Sequence, residues 1–192
     1  MIVVAITGMP GSGKSVIAER ISRISGWPRF SMGDIVREET LKRGYTLNAR
    51  NIETVARLLR EEMGPAAVAV LLRRKLEHLM ETPGVVVDGM RSIYEARELQ
   101  ALGPLCIVAV HASPLTRYKR MLSRNRVGDV RGWEDFVLRD RSNLSFGIGD
   151  LIALADFMIV NEGSLEEALA QANEVYRVIL SDASSRCCGG RY

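Results

Sequence analysis

Gly8, Gly13, Lys14 and Ser15 stand at the spacing G-x-x-x-x-G-K-[ST], the signature of a phosphate-binding loop. Glycines there let successive backbone N–H groups turn inward around phosphate oxygens, where a Cβ would obstruct them. The run Gly8-Met9-Pro10-Gly11-Ser12-Gly13-Lys14-Ser15-Val16 is therefore expected to wrap a polyphosphate. Lys14 reaches the β and γ groups, the Ser15 hydroxyl ligates Mg²⁺, and the following helix adds partial positive charge. ATP with Mg²⁺ is the expected ligand. Asp88 ends the apolar run Val85-Val86-Val87, which suits a carboxylate that holds the metal. Between Arg117 and Arg141 lie eight basic residues against four acidic ones. Arginines aimed at a transferring phosphoryl group stabilise its spreading charge. Arg120, Arg124 and Arg139 are the leading candidates, and Arg117, Arg120 and Arg124 recur at helical spacing on one face.

These groups need a scaffold to bring them together. Ile2–Thr7 is an unbroken apolar run that reads as a buried strand, followed by a helical pattern from Val16 to about Ser25. Further strands are expected at Arg29–Ser31, Val85–Asp88, Leu105–Val110 and Phe157–Val160. Between them lie helical patterns over 49–63, 65–80, Ser92 to about Leu102, Pro114–Arg124 and Trp133–Arg141. Ser92 with Glu95, and Ser164 with Glu167, form capping boxes, the second opening a terminal helix to about Leu180. Such alternation predicts an α/β fold of three layers, with a five-stranded parallel sheet covered on both faces. Ligands then sit beyond the carboxyl ends of the strands. Residues 1–180 are expected to form a single domain and 181–192 a disordered tail.

Composition narrows the classes. The chain has 192 residues, 47% hydrophobic and 26% charged, which suits one globular domain. No apolar run approaches the ~20 residues that span a membrane. A net charge of +3 is no argument for DNA. Met1 leads straight into the first strand, and Cys106, Cys187 and Cys188 suit a reducing compartment, so a cytoplasmic protein is expected. His78 and His111 suggest no zinc site, and Trp27 and Trp133 read as packing residues.

Taken together, these motifs resemble the adenylate-kinase branch of P-loop nucleoside monophosphate kinases. More narrowly they resemble an archaeal adenylate-kinase-related group, and dephospho-coenzyme A kinases share several features. Gly8-Met9-Pro10-Gly11-Ser12-Gly13-Lys14 is similar to that branch's proline-containing loop, and Ser31-Met32-Gly33-Asp34-Ile35-Val36-Arg37 to its acceptor motif. The resemblance implies that Arg37 and Arg91 grip an acceptor phosphate and that Asp88 holds Mg²⁺ through water. It also implies an acceptor-binding helical insert over 33–80, a lid over 124–140, and donor-adenine contacts from the loop at Asn161. Three features depart from the pattern, one being that the segment after Asp88-Gly89 is one residue shorter than the usual form. Ser15 follows Lys14 directly, and Glu95 stands where a glutamine reads adenine. A carboxylate accepts but does not donate, and Glu95 equally fits as a capping residue. Asp34 either caps its helix, contacts an acceptor group or acts as a base. The expected activity is transfer of the γ-phosphoryl of Mg·ATP to a small nucleotide-like acceptor. Alternatives are a nucleotide-driven switch or assembly ATPase with an RNA or protein partner, and a dephospho-coenzyme A kinase.

Overall fold

The computed structural model describes residues 1–79, 81–124 and 130–187. Its strands are β1 (Ile2–Thr7), β2 (Arg29–Ser31), β3 (Gly84–Asp88), β4 (Leu105–His111) and β5 (Phe157–Val160). They pair in parallel in the order β2-β3-β1-β4-β5. The register sets Ile6 beside Asp88 and Thr7 beside Ala109, so the carboxyl ends of β1, β3 and β4 share one edge.

The two-residue period of a strand divides the core. Val4, Ile6, Val86 and Val108 face a layer made by α1 (Lys14–Ser25) and α9 (Leu165–Arg186). Val3, Ala5, Val85, Val87 and Ile107 face the opposite layer. That layer contains α2 (Met32–Lys42), α3 (Ala49–Met63), α4 (Ala67–Leu76), α5 (Ile93–Gln100) and the short α8 (Ile148–Ala153). Buried on both faces, the central strands read as the unbroken apolar runs seen in the sequence. Asn48 caps α3 by accepting from Asn51 N at 2.9 Å, and Ser92 caps α5 by accepting from Glu95 N at 3.2 Å. A separate small core joins α6 (Pro114–Arg124) to α7 (Trp133–Ser145). There Met121, Val130 and Phe136 are buried beside Tyr118, whose ring meets Trp133 and Phe136 edge-on.

The structure corrects several expected boundaries. α4 stops at Leu76 and a 3-10 turn, Glu77–Leu79, follows it. α7 runs on to Ser145, and α8 was not expected, because six residues are too few to display a helical period. The expected disordered tail is helical as far as Arg186, continuing α9. Cys187 is buried and bonded to Cys106 of β4, their Cα atoms 4.5 Å apart, so this pair is not the reduced pair expected. Residues 188–192, with Cys188, lie outside the described residues, as do 125–129, with Arg126. Trp27 is a core residue, edge-on to Tyr176 with ring centroids 5.7 Å apart and pressed over Gly84, where a Cβ would overlap the indole. Among the described residues, no helix is long and apolar enough to cross a membrane.

Candidate functional site

β1 delivers the chain into the glycine loop at the carboxyl edge of the sheet. Gly8, Gly11 and Gly13 have φ of 145°, 84° and 94°, a backbone that disfavours side chains. Gly13 is the N-cap of α1, so the positive end of that helix opens onto the loop. Two remote side chains hold the loop's carbonyls. Asn161 Nδ2 donates to Ser12 O at 2.8 Å, and Arg117 Nη1 donates to Pro10 O at 3.1 Å.

Asp88 lies beside the loop and is 5% exposed. Its Oδ2 accepts from Arg29 Nη1 at a long 3.5 Å, while its buried Oδ1 has no hydrogen-bond partner. An orphaned carboxylate oxygen at the end of β3 and an exposed Ser15 on the loop fit Mg²⁺, which takes few protein ligands and completes its shell with phosphate and water. The Lys14 ammonium is held down to about 8, first by burial. Asp88 opposes that shift, whereas Arg91, Arg124 and Arg139 reinforce it. Three arginines thus act on one lysine, an excess of positive charge beside the loop that suits an anion of high charge.

A cleft of about 430 Å³ leads away from this point. It starts at Gly8, Pro10, Gly11 and Lys14 and passes Arg91, Arg124 and Arg139. It ends in a chamber lined by Met32, Val36, Ile52, Ala56, Val68 and Phe146. The chamber wall carries an ion pair, Arg60 Nη2 to Glu95 Oε1 at 2.9 Å, with the guanidinium 4.6 Å from the centre of the Phe146 ring. Glu95 Oε2 accepts from Arg91 N at 2.7 Å, which fixes the backbone that carries Arg91. Burial pushes the Glu95 carboxyl upward and Arg60 opposes that shift. α7 closes one side, where Ser142 Oγ donates to Glu53 Oε1 of α3 at 3.1 Å.

Comparison with known proteins agrees with this architecture. A family model described as an AAA domain matches residues 7–136. The UPF0200 protein of Methanocaldococcus jannaschii is 45% identical over 183 residues, which cover 95% of this chain and 92% of that protein. The chain belongs to the UPF0200 family. Among solved structures, TT1252 from Thermus thermophilus matches this UPF0200 chain with a TM-score of 0.63 and 27% identity. That match covers 93% of this chain and 97% of the other. Shikimate kinase from Bacteroides thetaiotaomicron matches with a TM-score of 0.59 at 17% identity, covering 93% and 98%, a likeness of fold alone. The UPF0200 chain therefore has a P-loop, kinase-like fold.

The site residues expected from sequence are distributed unevenly. Lys14, Arg37, Arg91, Arg124 and Arg139 all line the cleft. Asp34 does not: α2 begins at Met32 with Ser31 as its N-cap, so Asp34 is a first-turn residue rather than the cap. Its exposed carboxylate accepts from Arg37 Nη1 at 2.5 Å. Arg120 turns away from the cleft, giving Nη1 to Asn161 O at 2.9 Å and Nη2 to Asn161 Oδ1 at 3.4 Å. Arg117 goes into the interior, 4% exposed, with Asp140 as a bidentate partner at 2.8 and 2.6 Å. The single basic face of α6 thus divides three ways, because long side chains from one face reach different neighbours. Ser92 Oγ caps the Glu95 N–H, while the Glu95 carboxylate lines the cleft and accepts from Arg91 N, one residue before the N-cap. Sequence reasoning missed Arg60, Phe146 and the Arg117–Asp140 pair. The only local signal for Arg60 is its seven-residue spacing from Glu53, which puts both on one face of α3.

Proposed function

We propose that this protein is a phosphotransferase that moves the γ-phosphoryl of Mg·ATP to a small nucleotide-like acceptor. One observation carries the reading: the cleft that holds Lys14 is one continuous cavity that also takes in apolar residues of α2, α3 and α4. A hydrolase or switch needs a place for the triphosphate and a water. A kinase needs room for a second substrate within reach of the same phosphate. Here the room is apolar at its far end and ringed with arginine at its near end, which suits an anionic group on an apolar or planar body.

In this reading Gly8–Val16 hold the triphosphate, and Lys14 follows charge as it develops on the β and γ oxygens. Ser15 and Asp88, the latter through water, would hold Mg²⁺, which neutralises phosphate charge when bound. Arg124 and Arg139 face the transferring group, and Arg37 and Arg91 take the acceptor's anion. Residues 33–80 form the acceptor insert, 124–140 include the lid, and 1–180 act as one domain. Asn161, tied to the loop through Ser12 and to Arg120, borders the donor base. Closure of α7 onto α3 excludes water, so that ATP is not merely hydrolysed. The switch reading, with RNA on the basic segment, is weakened because Arg117 and Arg120 spend their charge on internal partners.

ADP formation from Mg·ATP with AMP, CMP, UMP, GMP, dCMP or dephospho-coenzyme A, against a no-acceptor control, tests the proposal. Stimulation of about tenfold or more by one nucleotide supports it and names the acceptor. Stimulation by dephospho-coenzyme A alone selects the narrower kinase, and a flat slow rate across the panel rejects transfer.

A further inference from the structure

Arg117 has no place in the chemistry just described, yet it is among the most heavily engaged side chains in the molecule. Its Nε donates to Ala112 O at 3.1 Å and its Nη1 to Pro10 O at 3.1 Å. Both Nη atoms grip the Asp140 carboxylate, and the guanidinium carbon lies 4.9 Å from the centre of the Phe136 ring. Gly11 leaves room for this arrangement: a Cβ there would stand 3.1 Å from Arg117 Cβ and 2.8 Å from its carbonyl oxygen. One planar cation therefore joins the phosphate loop, the β4–α6 turn and α7.

The sequence position of Asp140 gives this bridge a consequence. Its neighbour on α7 is Arg139, which lines the cleft and lies close enough to Lys14 to lower that ammonium's affinity for a proton. Leu138, Ser142 and Asn143 of the same helix also line the cleft. Asp140 points inward to Arg117 while Arg139 points to the phosphate site, so anchoring one fixes the rotation of α7 that presents the other. A bidentate guanidinium–carboxylate pair restrains angle as well as distance, which a single hydrogen bond or an apolar contact does not.

We infer that Arg117 and Asp140 are positioning residues that hold Arg139 in line with the phosphate bound by the loop. This inference rests on the proposed phosphoryl transfer for its catalytic readout but not for its structural one. The pair touches no substrate. It makes the location of Arg139 depend on the backbone of Pro10, so that the loop and the arginine keep their spacing while the rest of the cleft opens and closes.

The test is a cycle of Asp140→Ala, Arg139→Ala and the double variant in the full chain, with Asp140→Asn as a milder form that keeps one acceptor oxygen. Circular dichroism confirms folding, a fluorescent ATP analogue gives nucleotide Kd, and ADP formation gives turnover. Arg139→Ala should lower turnover by about a hundredfold or more. Asp140→Ala should lower it by about ten- to a hundredfold, with nucleotide Kd within about threefold of the parent. Asp140→Asn should fall between the parent and Asp140→Ala. If Asp140 acts through Arg139, the double variant is no slower than Arg139→Ala by more than about threefold. Full multiplication of the two losses overturns the inference, as does unchanged turnover in Asp140→Ala. Hydrogen exchange over 133–145 supplies a second readout that needs no turnover. It should quicken in Asp140→Ala and stay at the parental rate in Arg139→Ala. Equal protection in Asp140→Ala and the parent overturns the inference, even if no acceptor is ever phosphorylated. A parent with no acceptor-stimulated ADP formation rejects the kinase reading alone.

Discussion

The two ends of the cleft are built on different principles. At the phosphate end, backbone does most of the recognition: three glycines in left-handed geometry, a helix N-terminus and one lysine, all within Gly8–Ser15. At the chamber end, side chains from distant elements make the wall. Arg60 comes from α3, Glu95 from α5 and Phe146 from the turn after α7, and they form one cluster around the buried Glu95 carboxylate. The first end suits a ligand common to many enzymes. The second suits a particular one, because each of its contacts changes with a single side chain.

Substitution at the phosphate end should cause the largest loss. Lys14→Ala removes the only ammonium among the described residues lining the cleft, and turnover should fall by about a thousandfold. A loss restricted to acceptor KM would blur the contrast between the ends. Glu95→Ala probes the other end and leaves the half-buried Arg60 guanidinium without its carboxylate, which costs about 1–3 kcal/mol of stability. Chemical denaturation should show that loss. Steady-state assays in the still-folded protein should show acceptor KM raised about tenfold at constant nucleotide Kd.

pH separates the ends again. Lys14 in the free protein titrates near 8, and a bound triphosphate keeps it charged, so binding takes up a proton once the pH exceeds that value. Nucleotide affinity should be level below about pH 7 and fall as the pH rises through 8, by up to about tenfold per unit. Calorimetry in buffers of different ionisation enthalpy measures the uptake directly, and zero uptake at pH 9 would contradict the assignment. Cys187→Ser should have the smallest effect on activity. The Cys106–Cys187 bond closes a long loop far from the cleft, with partners 81 residues apart, and its loss costs about 2–4 kcal/mol. Tm should drop while turnover at moderate temperature stays the same.

How much could be read from the sequence follows the same division. The phosphate loop was legible because its determinants are contiguous, and the apolar strand and helix around it supply the required context. The sheet was legible because its three central strands, β1, β3 and β4, are buried on both faces and bounded by glycine or proline. Asp88 and Arg91 were legible as residues at a strand end. Arg60 was not, since it meets Glu95 across 35 residues, and nothing in its neighbourhood marks it as buried. Arg117 looked like one more surface cation in a basic helix. Its partner Asp140 is 23 residues away, and only the packing of α7 on α6 turns the charge inward. The α9 extension escaped notice because Ser181–Cys187 has no apolar period, and the disulfide that holds Cys187 joins residues 81 apart in sequence.

The proposed kinase requires donor and acceptor to lie in one continuous cleft. A set of compounds joining adenosine through five phosphates to each common nucleoside tests it most directly, because such a molecule fills both ends at once. One member should bind at a single equivalent, at least about a hundredfold more tightly than ATP, and Arg91→Ala should erase most of that advantage while lowering ATP affinity far less. If every member binds no better than ATP, the chamber beyond Lys14 is not the seat of a nucleotide-like acceptor.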